Sequence, residues 1–260
     1  MNEKITEIIS EYKKKTEKEC CFINYSNEAP SILDDKIGGK PYLPIGEEYP
    51  KDKYGDSMAL VIQINLTKLN LAGYPKGILE LFVTTNEDDL FDFEVADGSF
   101  ETRLFKEGLE YQTTLPEVEL KPFLVNGPFK IEFHKGKMSM PYNMGDDEAI
   151  NMLLNLFEKK FNVKVNYPME LKQLFGVDYY DLQDKLKDDS EFSSHIGGYA
   201  SFANDPDIDY LTKNECLIFL TSDLDKKFDL GNAYSFYVLI SKEDLLNNNF
   251  SDIACNFEWS

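Results

Sequence analysis

"KIGGKPYLP" (36–44) and "HIGGYASFA" (195–203) carry the same glycine pair into the two halves of a 260-residue chain. A glycine pair in such a place is either a phosphate cradle or a backbone corner. A cradle needs a strand before it, a helix after it, and amides that converge on the anion. No Gly-Lys-Ser/Thr follows either pair; aromatic and apolar residues follow instead, and then a loop. Glycine also reaches backbone angles closed to other residues and lets a second segment approach closely. Gly38, Gly39, Gly197 and Gly198 therefore read as structural corners.

Working outward, the repetition continues. "ALVIQINL" (59–66) aligns with "CLIFLTSD" (216–223), and "ILELFVTTNEDDL" (78–90) with "AYSFYVLISKEDL" (233–245). Three blocks in one order point to an internal duplication, each unit a glycine corner, a buried strand, a linker and a second strand. Units of this kind bury their apolar faces against each other. Their expected extents are 31–140 and 193–260, joined by a helical connection over 146–190, within one domain spanning 1–260. FETRLF (100–105) and FKIEFH (129–134) add alternating strands. Ile5, Ile8, Ile9 and Tyr12 fall on one face of a helix over 3–18, and a longer helix runs over 146–161. Helices and strands are partly segregated, so the fold class is α+β: two related β-rich units in one compact body with peripheral helices.

Composition narrows function. The formal net charge is −20, from 47 acidic and 27 basic residues. That opposes nucleic-acid binding, which needs Lys and Arg against phosphates, and it opposes anionic membrane surfaces. Solubility explains it, and so does attraction to a basic protein partner. No apolar run approaches the roughly 20 residues of a membrane helix, and the N-terminus lacks the apolar core of a signal peptide. The four cysteines make no metal-ligand spacing and no disulfide frame. Reduced thiols in a cytoplasm follow, with Cys216 and Cys255 as buried small hydrophobes.

The stretches "KIGGKPYLP…EEYP", "MALVIQINLTKL" and "YPKGILELFV", with the second "HIGG", resemble the YwqG-like family of uncharacterised bacterial proteins. The resemblance runs from about residue 30 onward and is specific in the first half, through Pro41, Pro44, Gln63-Ile64-Asn65 and Pro75-x-Gly77. It implies an intracellular α+β protein with an internal duplication and no established reaction, so it supplies no catalytic residues to carry over. The second half departs from it: Phe219 stands where a glutamine would sit, and Leu230-Gly231-Asn232 replaces a Trp-Gly-Asp.

Candidate chemistry is sparse. His134 and His195 are the two histidines, and neither has a zinc-site environment; His195, beside the second glycine pair, has Lys36 as its counterpart. The acidic stretches 86–98 and 204–209 lack the spacing of a calcium loop and read as solvated loops. No metal or cofactor motif is present. Gln63, an amide among apolar neighbours, needs partners if buried, because an unsatisfied amide costs about 1–3 kcal/mol; it pins a neighbouring loop or faces a groove. These features favour a non-enzymatic binding protein. The alternative is an enzyme or small-molecule binder in which Tyr42, Gln63, His195 and Asn232 converge in a groove between the units.

Overall fold

A computed structural model describes residues 3–26, 28–86, 89, 98–116, 118, 128–141, 147–186, 193–202, 215–222, 230 and 233–259. Within them the sheet has ten strands: β1 (Lys18–Ser26), β2 (Lys36–Ile37), β3 (Ala59–Asn65), β4 (Ile78–Val83), β5 (Phe100–Phe105), β6 (Phe129–Met138), β7 (His195–Gly197), β8 (Glu215–Thr221), β9 (Ala233–Ile240) and β10 (Ile253–Trp259). Their order is β10-β9-β8-β7-β1-β6-β2-β3-β4-β5, and every neighbouring pair is antiparallel. The sheet curls into a nearly closed barrel with a few helices around it. Its two edges approach each other where Thr102 Oγ1 donates to Phe250 O at 2.7 Å and the Phe100 ring stacks on Phe236.

Alternation along the strands explains the core. Ile62, Ile64, Leu79, Leu81, Leu220, Phe236 and Val238 point to one shared interior, together with Cys21 and Ile23 of β1. β3, β4, β8 and β9 are buried on both faces, so they read as near-continuous apolar runs. β1, at the centre of the sheet beside β6 and β7, is a strand that the sequence pattern does not announce. It starts one residue after α1 (Glu3–Thr16), with no turn residue to mark the change.

The helices form a second layer with its own core. α1 buries Ile5, Ile8, Ile9 and Tyr12 against Leu153 and Phe157 of α3 (Asp147–Phe161), Leu171 of α4 (Glu170–Phe175) and Leu182 of α5 (Tyr179–Leu186). Two short helices decorate the sheet: α2 (Leu66–Leu69) follows β3 and α6 (Lys242–Asn247) follows β9. No helix among the described residues is long and apolar enough to cross a membrane.

All four paired glycines run at positive φ, at 69° and 78° for Gly38 and Gly39, and 75° and 70° for Gly197 and Gly198. A side chain at Gly197 would also meet Glu19 O at 3.1 Å, and one at Gly39 would meet Pro128 Cβ at 3.0 Å. β1 and its partner strands pass that closely.

Candidate functional site

Because Ile37, Ile62, Ile64, Leu79 and Leu81 face the barrel core, strand alternation sends Lys36, Gln63, Glu80 and Arg103 to the opposite face. Register lines them up across four strands: Lys36 opposite Gln63, Gln63 opposite Glu80, Glu80 opposite Arg103. Lys36, Gln63 and Glu80 are at most 1% exposed. Burying such groups without partners costs several kcal/mol, so the bonds they make decide what the row is for.

Those bonds hold two loops. Gln63 Nε2 donates to Ile32 O and Asp34 O at 2.8 and 2.9 Å. Lys36 Nζ donates to Ser31 O and Ile32 O at 2.9 and 2.7 Å. On the other side, the Tyr42 amide is shared by Gln63 Oε1 and Glu80 Oε1, each at 2.7 Å. One amide side chain thus ties segment 31–35 to segment 42–45. A third segment joins them: Tyr42 OH donates to Leu109 O at 2.9 Å, Ile45 N to Glu110 O at 2.9 Å, and Gln112 N to Leu43 O at 2.8 Å.

Charge in the row is strained by burial. Desolvation pushes the Glu80 carboxyl up to about 8, against the pull of the Tyr42 amide, Lys36 and Arg103. Desolvation likewise brings the Lys36 ammonium down to about 8, opposed by Glu80, Asp34 and Asp35. Glu80 Oε2 has no hydrogen-bond partner among the described residues.

Above this row lies an open groove of about 760 Å³. Tyr42 and Tyr111 lie in its lining, their ring centroids 5.7 Å apart. Leu33, Ile45 and Leu109 stand on the three tied segments and are 49%, 64% and 45% exposed. Glu107, Glu110 and Lys68 complete the polar rim, with Lys68 held by Asp35 at 3.1 Å.

The outer face of β7 to β10 is built differently. His195 pairs with Phe219, Phe219 with Tyr237, and Tyr237 with Asn256. Phe219, Tyr237, Cys216 and Leu239 form a separate apolar cluster closed by Ala200 and Phe202. His195 is fully buried, stacked on Phe219 with centroids 5.0 Å apart. Its Nδ1 lies 2.6 Å from Ser193 O and its Nε2 2.8 Å from Tyr199 O. Burial lowers its pKa, with those two carbonyls opposing the shift.

Of the residues singled out in sequence, Tyr42 and Gln63 are therefore in direct contact. His195 is not brought to them: β2, β6 and β1 stand between β3 and β7. Asn232 lies outside the described residues, as do the acidic stretches 86–98 and 204–209 apart from positions 86, 89 and 98. Glu80 and the apolar trio Leu33, Ile45 and Leu109 carry no mark in the sequence reading. A lone acid inside "ILELFV", matched by a lone amide inside "ALVIQINL", is the signal that could have exposed Glu80. The four cysteines are buried and form no disulfide; desolvation pushes Cys20 up to about 12 and raises Cys216 further, so neither supplies a thiolate near neutral pH.

A family model described as a domain of unknown function, DUF1963, matches residues 35–258. The chain belongs to this family. Comparison with curated proteins finds no match. The DUF1963 span opens at Asp35, one residue before Lys36, and closes inside β10. It therefore takes in the whole polar row and every groove segment except residues 31–34, while α1 and β1 lie before it.

Proposed function

We propose that this DUF1963 protein is a non-enzymatic binding protein that holds a segment of a partner protein in the groove between segments 31–35, 42–45 and 107–111. One observation carries the reading: a buried amide, Gln63, fixes two loops whose outward side chains are apolar and exposed. Holding exposed apolar side chains in fixed places is what a preformed binding surface requires, since ordering them beforehand removes that entropic penalty from association. Among the groups that commonly act as nucleophile or base, the thiols are buried and the His195 ring lies between two carbonyls.

The test is retention of partner proteins by the intact chain, compared with Ile45→Asp and Leu109→Asp. Wild type retains a specific protein that both variants lose, with all three melting alike. Retention that survives both substitutions contradicts the reading. An enzymatic or small-molecule reading draws on Glu80, a carboxyl with a pKa raised to about 8 and one oxygen unpartnered among the described residues. Turnover of a metabolite, abolished by Glu80→Gln, would favour it.

We also infer that the barrel consists of two related units, a relationship narrower than the family assignment and in keeping with a YwqG-like member. Strand order supports it, with β2-β3-β4-β5 and β7-β8-β9-β10 each running outward from the central β6–β1 pair. Bulges support it too: the β3–β4 register shifts between Leu60 and Ile62, the β8–β9 register between Cys216 and Ile218. This register sets Gln63 against Phe219 and Glu80 against Tyr237. It displaces the alignment of 59–66 on 216–223 by one position, a slip that would turn every side chain to the other face. Four cysteines without a disulfide suit a reducing compartment such as the cytoplasm.

A further inference from the structure

We propose that the segment held in the groove joins an apolar side chain to a nearby lysine or arginine, the apolar group on Leu33, Ile45 and Leu109 and the cation at Glu107 and Glu110. This rests on the reading of the groove as a site for a partner's segment, and it names the chemistry of that segment. The apolar part follows from the three exposed side chains and the tyrosine rings between them. The cationic part follows from charge. Lys68 is the cation in the groove lining, and Asp35 already holds it at 3.1 Å. Glu107 and Glu110 are exposed, and no ion pair engages either of them among the described residues. An apolar side chain seated in the groove would bring its flanking residues to these carboxylates, where a cation gains and an anion loses.

Net charge excludes the other occupants. A second copy of this chain brings another −20 to the contact, so self-association through the groove works against long-range repulsion. Phosphate-rich surfaces, whether membrane or nucleic acid, meet the same repulsion. A basic segment meets attraction from the whole molecule before it meets the groove, so association should quicken at low salt.

The experiment pans a random octapeptide library against the intact chain. The enriched peptides are then titrated against wild type, Ile45→Asp, the double variant Glu107→Gln with Glu110→Gln, and Glu3→Lys. Glu3 is exposed on α1, in the helical layer and outside the groove lining, and its reversal changes net charge by the same two units as the double variant. The expected result is enrichment of peptides with Lys or Arg beside an apolar residue. Their Kd should rise about tenfold in the double variant but little in Glu3→Lys. The inference is overturned if enriched peptides show no basic bias, or if the double variant and Glu3→Lys weaken binding equally, while Ile45→Asp still abolishes it. If no peptide is enriched whose binding Ile45→Asp removes, the groove reading itself falls.

Discussion

Two parts of the barrel's outer face hold opposite chemistry. On one, Lys36, Gln63, Glu80 and Arg103 run across β2 to β5; on the other, His195, Phe219, Tyr237 and Asn256 run across β7 to β10. The second face is closed by its own side chains, with Phe202 packed edge-on to Tyr237. The first face is closed by loop backbone, and polar side chains beneath that backbone fix where it lies. A face filled by aromatic rings keeps its apolar surface inside. A face bracketed by an amide can turn apolar side chains of the overlying loops outward. Stability and a preformed groove thus fall to different halves of one sheet.

Truncation should break the comparison most sharply. Phe219→Ala empties a fully buried site and should lower unfolding free energy by about 3–5 kcal/mol. Denaturant titration reads this loss, and binding to the groove measured on the folded fraction should be unchanged. Gln63→Leu acts on the other face, removing the amide from the carbonyls of Asp34 and Ile32 and leaving Ile32 O to Lys36 Nζ. Its expected loss is smaller, about 1–3 kcal/mol, but here groove binding should fall as well. A Gln63→Leu protein that binds at full strength would remove the bracket from the account. Gly197→Ala meets both a positive φ and the Glu19 carbonyl and should cost about 1 kcal/mol or more by thermal melting. An unchanged Tm would remove the corner reading there.

The remaining effect is one of pH. Glu80 in the folded chain binds its proton more tightly than in the unfolded chain, with the carboxyl raised from 4.5 to about 8. Between those values the native state holds the extra proton, so this contribution to stability declines as pH rises and is lost above about 8. Lys36, lowered from 10.5 to about 8, acts in the opposite sense and favours folding as pH climbs from about 8 towards 10.5. Glu80→Gln should therefore differ from wild type by a constant amount below about pH 4, gain on it steadily as pH rises from 4.5 to about 8, and hold that gain above about 8. Tyr237→Phe, on the aromatic face, should show no such pH dependence. Parallel stability curves for wild type and Glu80→Gln would contradict the buried-carboxyl account.

Much of the barrel was legible in sequence. The apolar runs around Ile62 and Phe82, the glycine pairs and the spacing of Ile5, Ile8 and Tyr12 all report local periodicity, which burial imposes residue by residue. β1 was not legible, because Cys20 and Cys21 are buried side by side and the half-buried Phe22 is itself apolar, which masks the alternation of Cys21, Ile23 and Tyr25 along this nine-residue strand. The polar row was half legible: Gln63 stood out among its neighbours, whereas the meaning of Glu80 depended on knowing that β4 lies beside β3. The groove was not legible at all. Leu33, Ile45 and Leu109 sit in three loops distant in sequence, and only the bonds made by Gln63 and Tyr42 bring those loops together.

Hydrogen exchange at the Tyr42 amide tests this bracket most directly. In wild type this N–H is shared by Gln63 and Glu80 beneath a closed surface, so it should exchange slowly. In Gln63→Leu its protection should drop, along with that of segment 31–35, while amides in 195–201 keep theirs; Phe219→Leu should do the reverse. Full protection of Tyr42 in Gln63→Leu, with both loops as slow as in wild type, would contradict the claim that one buried amide holds the groove in shape.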